Sequence, residues 1–438
     1  MSITPTNVHK TIAKHMLADG MEQVIDLKKS HGSWMVDARD GKEYLDLYSM
    51  FASLSIGYNH PYILENKDKL TTAALNKVTN SDIYSQEMAE FVETMGRIAQ
   101  PDYLPYAFYV EGGALAVENA LKVAFDWKVR KNIASGKGEK GTKVIHFKEC
   151  FHGRSGYTMS LTDSPDPRKT LFFPKFDWPR VSNPKMTFPL NESAVAEAEA
   201  KSIAEINAAI ASNPDDIAAM ILEPIQGEGG DNHFRDSYLQ DLQRTTHDIG
   251  ALFIVDEVQT GMGLTGSMWA YEQMGIEPDL LAFGKKMQVC GMMGGPRLLE
   301  NEDNVFTSSS RINSTWGGNL IDMVRSSICL EVIEKEGLVD NARRMGDELL
   351  AGLGELAGRH EMMGNVRGRG LFTAFTLPSS QLRDTFHSLA LEADLLTLKS
   401  GTRSIRLRPS LNISADEVAE ALGIFEQTAK ALEADQFA

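Results

Sequence analysis

From Tyr106 onward, short apolar runs alternate with longer stretches in which apolar positions recur every three or four residues. The runs Tyr106 to Val110, Val144 to Phe147, Ile217 to Leu222, Ala251 to Val255 and Leu280 to Phe283 have the length and near-continuous hydrophobicity of strands buried on both faces. Between them, Ala114 to Arg130 places Val117, Leu121 and Ala124 on one face, and Ser193 to Ala211 and Asp236 to Ile249 repeat that periodicity. Strands separated by helical segments predict a parallel sheet with crossover helices.

After Gly317 the texture changes. Long helical patterns at Asn319 to Lys335 and Asn341 to His360 are followed by the short runs Gly370 to Leu377 and Ser404 to Leu411 and an alanine-rich tail, which predicts a smaller α+β unit. Near the start, Trp34 to Asp37 and Glu43 to Asp46 flank the turn residues Arg39-Asp40-Gly41 and read as a meander that joins that smaller unit in space. The expected division is 1–60 as an N-terminal segment packing with the small domain, 61–320 as the large domain and 321–438 as the C-terminal small domain.

A chain of 438 residues, 42% hydrophobic, is long enough for such a two-domain core. Its formal net charge of -16 argues against a nucleic-acid surface. Cys150, Cys290 and Cys329 share no close spacing, which suits a reducing compartment better than a disulfide framework. Residues 1–20 mix charged and apolar positions without the apolar core of a signal peptide, and no run reaches the roughly twenty apolar residues of a membrane helix. A soluble, cytoplasmic protein is expected.

Candidate chemistry sits at the strand ends. Each predicted central strand runs into a polar or glycine cluster: Glu111-Gly112-Gly113, His152-Gly153-Arg154, Glu223-Pro224, Asp256-Glu257 and Gly284-Lys285. Ligands of open α/β sheets bind outside the carboxyl ends of the strands, so these groups predict a pocket there. Gly112-Gly113-Ala114 opens a helix, whose free N–H groups and dipole favour an anion such as a phosphate, although a plain strand-to-helix turn has the same pattern. Asp256 ends a buried run and needs a partner, such as a protonated ring nitrogen, unless it only caps a helix. Lys285 closes another buried run, where burial lowers an amine pKa towards that of a Schiff-base lysine, with Lys286 as a rival and a solvated lysine pair as the bland alternative.

The order of these features resembles the class III (ornithine-type) aminotransferases of the fold-type I pyridoxal-phosphate (PLP) enzymes. The motifs are Phe151-His152-Gly153-Arg154, Glu223-Pro224-Ile225-Gln226-Gly227-Glu228, Asp256-Glu257-Val258-Gln259-Thr260-Gly261, Gly284-Lys285 and Ser314-Thr315-Trp316-Gly317-Gly318-Asn319. The resemblance implies an α/β fold with a mostly parallel seven-stranded sheet flanked by helices, plus the smaller α+β domain. It implies PLP held as a Schiff base on Lys285, with Asp256 at the ring nitrogen, Gln259 at the phenolic oxygen and Phe151 stacked on the ring. The phosphate would lie on the backbone of Gly113 and Ala114 and on Thr315 from the neighbouring subunit, so an obligate homodimer is implied.

Two departures narrow the resemblance. Gly112-Gly113-Ala114 stands where many relatives carry Ser-Gly-Thr, and Leu264 stands where an arginine is common. Both match the branch that passes the terminal amine of L-lysine to 2-oxoglutarate. There, Arg154 would grip the α-carboxylate of lysine, while Glu228 pairs with Arg406 and swings away when 2-oxoglutarate needs that guanidinium. Arg408, two positions further along, is the alternative to Arg406. Ornithine, 4-aminobutyrate or acetylornithine as donor, an aminomutase or decarboxylase, and a non-catalytic module are the competing readings.

Overall fold

The computed structural model describes residues 3–436. Fourteen strands, numbered here in chain order, are described: β1 Trp34–Val36, β2 Glu43–Asp46, β3 Tyr106–Val110, β4 Lys143–Phe147, β5 Arg180–Val181, β6 Ile217–Leu222, β7 Leu252–Asp256, β8 Leu280–Phe283, β9 Cys290–Gly294, β10 Gly364–Arg369, β11 Phe372–Thr376, β12 Leu395–Leu396, β13 Leu398–Ser400 and β14 Ser404–Leu407.

The central sheet has seven strands in the order β3-β9-β8-β7-β6-β4-β5. The strands β8, β7, β6, β4 and β5 pair in parallel. β9 is antiparallel to both of its neighbours, so β3 points the same way as the rest. Six strands therefore deliver their carboxyl ends to one edge. The reversed strand β9 was not anticipated from the sequence: its run Cys290-Gly291-Met292-Met293-Gly294 is rich in glycine, which weakens a strand signal. Glycine is required there, since a Cβ on Gly291 would sit 2.4 Å from the Phe108 carbonyl oxygen.

Both faces of this sheet are covered, which is why its strands are apolar throughout. On one face Ala219, Ile221, Leu252 and Ile254 pack with Val117, Ala120, Leu121, Ala124 and Trp127 of the helix Gly113–Ala134. On the other face Met220, Leu222, Phe253, Val255, Leu281 and Phe283 join the largest core cluster. Alternate residues of a strand thus enter different cores, as the two-residue period requires.

A four-stranded antiparallel sheet, β10-β11-β14-β13, is packed by the helices Leu338–Arg359, Ser380–Glu392 and Ala415–Gln436. The meander β1-β2 is completed by β12, which pairs in parallel with β2 at Leu395–Leu45 and Leu396–Asp46. The apolar run expected to continue to Leu411 leaves the sheet after Leu407, and Arg408 turns its main chain to Leu47 instead. Among the described residues no helix is long and apolar enough to cross a membrane.

Candidate active site

At the carboxyl edge of the central sheet lies a cavity of about 440 Å³, walled by Gly113, Ala114, Phe151, His152, Glu223, Asp256, Val258, Gln259, Lys285 and Cys290 among others. Six of the ten residues singled out from the sequence face it: Gly113, Ala114, Phe151, Asp256, Gln259 and Lys285. Arg154, Glu228, Arg406 and Thr315 stand away from its wall.

The helix Gly113–Ala134 starts on Gly112, whose φ of +104° suits glycine. Its first N–H groups have no intrahelical acceptor, so the cavity receives free donors and the positive end of a helix dipole. Gly113 has no room for a side chain, because a Cβ would lie 2.8 Å from Val258 Cγ1. Phe151 and Val258 supply apolar surface to the cavity wall.

Asp256 ends β7 and is 4% exposed. Its Oδ1 accepts the Val258 N–H at 3.0 Å, and its Oδ2 lies 2.7 Å from His152 Nδ1. Burial disfavours a charged imidazole, yet the Cys150 sulfur and the Asp256 carboxylate outweigh it and hold the His152 pKa well above the usual histidine value. The cavity therefore faces an acid fixed from two sides and backed by a positive group.

Lys285 follows β8 on a backbone with φ +49°, a left-handed conformation that a non-glycine residue holds only under constraint. Burial, and then the Arg406 guanidinium, lower its amine pKa against the pull of Asp256 and Glu223. The rival Lys286 points the other way: it is 1% exposed, and its Nζ donates to the carbonyls of Leu54 at 2.7 Å and Pro409 at 3.2 Å.

Two arginines on and after β14 differ in their pairing. Arg408 is fully buried and ion-paired with Asp231. Arg406 is 5% exposed and forms no salt bridge among the described residues. Its Nη1 donates to Gln259 Oε1 at 3.1 Å, and its Nε is buried without an acceptor. Arg408 Nε and Nη2 donate to the same Gln259 oxygen at 3.2 and 3.1 Å. Since guanidinium groups only donate, that amide must turn its oxygen to them, which leaves its Nε2 as the donor available to the cavity.

The expected pair between Glu228 and Arg406 is not formed. Glu228 Oε1 is ion-paired with Lys169 and accepts from Ser164 Oγ at 3.0 Å, while its Oε2 is buried without a partner. The reason is reach from another element: the loop after the short helix Thr158–Leu161 brings Ser164 and Lys169 over Glu228, and spacing along the chain does not report such a contact. Arg154 is exposed and lines a second, open cavity of about 630 Å³ together with Lys169 and Phe173. Thr315 is exposed on a loop, its carbonyl accepting from Ser81 Oγ at 3.2 Å.

A family model for class III aminotransferases matches residues 16–429. The chain belongs to that family. It is 49% identical over 424 residues to an L-lysine-epsilon aminotransferase of Mycobacterium bovis, covering 96% of this chain and 94% of the relative. It is 48% identical over 423 residues to an L-lysine-epsilon aminotransferase of Streptomyces clavuligerus, covering 95% and 92%. A solved lysine aminotransferase from M. tuberculosis superposes with a TM-score of 0.97 at 47% identity, covering 98% of this chain and all of the other.

In this aminotransferase His152 and Glu223 are polar wall residues to which the sequence assigned no role. Glu223 lies in the cavity wall, 4% exposed, and its two oxygens accept the N–H groups of Phe151 at 2.8 Å and Gly227 at 3.0 Å. It thus joins the Phe151 segment to the loop bearing Glu228. Burial pushes its pKa up to about 7. The sequence signals for them were their places at strand ends and inside two of the quoted motifs, which name no partner, because a buried polar side chain is recognised by the partner it finds in space.

Proposed function

We propose that this aminotransferase moves the terminal amine of L-lysine to 2-oxoglutarate, giving 2-aminoadipate 6-semialdehyde, which cyclises to piperideine-6-carboxylate, and L-glutamate. The observation that carries it is the convergence of Lys285, Asp256 and the N-terminus of the helix Gly113–Ala134 on one cavity, with Arg406, which has no acidic partner among the described residues, bonded to the Gln259 of its wall. The naming of the relatives at 48 and 49% identity supports lysine as donor.

The donor set fits pyridoxal 5'-phosphate. Gly113 and Ala114 would hold the phosphate through main-chain N–H groups, Asp256 the ring nitrogen, Gln259 Nε2 the phenolic oxygen, Phe151 and Val258 the ring faces, and Lys285 Nζ the aldehyde carbon. When bound, this cofactor supplies the electron sink and the carrier for the amine. Asp256, hydrogen-bonded to His152, would hold the proton on that ring nitrogen. Lys285 Nζ, when free, would take the proton from the substrate carbon and serve afterwards as the acid that returns it, for which its lowered basicity suits it.

Arg154 would bind the α-carboxylate of lysine at the outer cavity, with bidentate geometry available to its guanidinium. Arg406 is preferred to Arg408 for the carboxylate next to the carbonyl of 2-oxoglutarate, because Arg408 is already neutralised by Asp231. We also propose an obligate homodimer in the cytosol, with Thr315 of each chain completing the phosphate site of the other. Supporting it are the exposed apolar residues Phe51, Leu75, Ile83, Tyr84 and Trp316 and the three free cysteines. The division into residues 1–60, 61–320 and 321–438 is proposed on the same footing.

The test is lysine carrying heavy nitrogen on its terminal amine, incubated with the holoenzyme and 2-oxoglutarate. Label in glutamate is the expected result. Unlabelled glutamate would mean that the α-amine is taken, and no glutamate from a cofactor-loaded protein would exclude lysine as donor.

A further inference from the structure

Glu228 and Arg406 are an acid and a base that the structure leaves apart. Among the described residues one oxygen of Glu228 has no partner and Arg406 has no carboxylate, although the Glu228 side chain is only 18% exposed and Arg406 is buried. The cation that Glu228 meets instead is Lys169. Its Nζ pairs with Glu228 Oε1, lies 5.9 Å from the centre of the Phe151 ring, and is 32% exposed, against 18% for the Glu228 side chain. A cation held between a carboxylate and an aromatic face in a partly water-excluded place is worth more than a surface pair. Ser164 Oγ adds a second donor to the same oxygen.

We propose that Lys169 is the second pole of a Glu228 switch and so a specificity-determining positioning residue. With Glu228 on Lys169, Arg406 is open to the carboxylate beside the carbonyl of a dicarboxylic oxo acid. With Glu228 on Arg406, that site is masked and an amine donor that brings no carboxylate there is accepted. The inference rests on the reading of the substrates given above. Lys169 acts through Glu228 and touches neither reacting atom. It lies on the loop that also carries Phe173 into the Arg154 cavity, so one loop both borders that cavity and holds Glu228.

The energetic consequence follows from population shift. A dicarboxylate binds only the state with Arg406 free, and its apparent affinity scales with the fraction of molecules in that state. Removing the Lys169 charge takes away about 1 kcal/mol from that state, a shift of about fivefold in the balance. Affinity for 2-oxoglutarate falls and affinity for the amine donor rises or holds.

The experiment uses the holoenzyme and the variants Lys169→Met, Lys169→Arg and Glu228→Gln. Calorimetry with glutarate, a dicarboxylate lacking the reactive carbonyl, reads the Arg406 site without turnover. Single-turnover rates with lysine and with 2-oxoglutarate read the two halves separately. Expected are a weakening of glutarate binding in Lys169→Met by up to about fivefold, the full factor applying where the Arg406-free state is the minor one, a matching rise in KM for 2-oxoglutarate alone, recovery in Lys169→Arg, and no further effect of Lys169→Met once Glu228 is Gln. Equal loss in both half-reactions, an unchanged ratio, or a full effect persisting in the Glu228→Gln background would overturn the proposal. Should lysine prove not to be the donor, glutarate binding still decides the switch, so the two failures are distinct.

Discussion

His152 Nδ1 and Asp256 Oδ2 lie 2.7 Å apart at the end of β7, both buried, and this pair sets the electrostatics of the cavity. A buried carboxylate is costly unless donors or a cation compensate it, and here the His152 imidazole and the Val258 N–H do so. Asp256→Ala is expected to keep the cofactor bound and to lower kcat by about 10²–10³, the scale seen when one preorganised charge-stabilising group is removed. Visible absorbance reads occupancy and steady-state rates read kcat. Full activity in the variant would defeat the assignment.

Lys285 and Lys286 are adjacent, and only Lys285 enters the cavity. Borohydride reduction of the holoenzyme followed by peptide mass spectrometry should place the cofactor's mass on Lys285 with Lys286 unmodified. Lys285→Ala should abolish the attachment, and a modified Lys286 would reverse the roles.

Burial of Lys286 brings its pKa down to about 7, although Asp46 opposes the shift. Its unfolded value is that of an ordinary lysine, about 10.4. Between those limits the unfolded chain holds a proton that the folded chain has released, so the Lys286 contribution makes stability rise with pH at up to about 1.4 kcal/mol per unit. Below about pH 7 both states are protonated and the slope vanishes. Lys286→Met should remove this contribution from urea denaturation series at pH 7 to 10; an unchanged slope would mean the amine is not desolvated.

Gly153 adopts φ +116°, and a Cβ there would meet the Ala114 Cβ at 2.4 Å. Gly153→Ala should therefore push the helix N-terminus out of place, destabilising the fold by about 1–3 kcal/mol and weakening phosphate-dependent cofactor retention. Thermal melts with and without cofactor separate the two effects, and wild-type behaviour in both would contradict the packing argument.

If Thr315 serves the neighbouring subunit, a dimer mixing Lys285→Ala with Thr315→Ala chains contains one site with both defects and one with neither. Activity should reappear on mixing, to about half of wild type per mixed dimer, while each parent dimer stays impaired. Parents that do not complement would place Thr315 in its own subunit's site or outside any site.

The five strand runs and the helices that follow them were legible because a strand buried on both faces and a helix buried on one leave periodic signatures in nearest neighbours along the chain. That Glu223, Asp256 and Lys285 share an edge also follows from topology, since parallel strands put their carboxyl ends together. The reversed β9 was hidden by glycines, of which Gly291 is required by Phe108 and Phe283 and Gly294 by Leu298.

Pairings between side chains were a different matter. Which of two lysines enters the cavity, which of two arginines lacks an acid, that His152 backs Asp256, and that Glu228 takes Lys169 instead of Arg406 were decided by tertiary structure alone. Each depends on the direction of a long or branched side chain and on groups from 59 to 232 residues away. The sequence by itself determined the elements, the edge and the chemical types assembled there, because those are properties of local pattern and chain order. Packing chose the partners, because a buried charge or donor is stable only against the group that the fold brings within hydrogen-bonding reach.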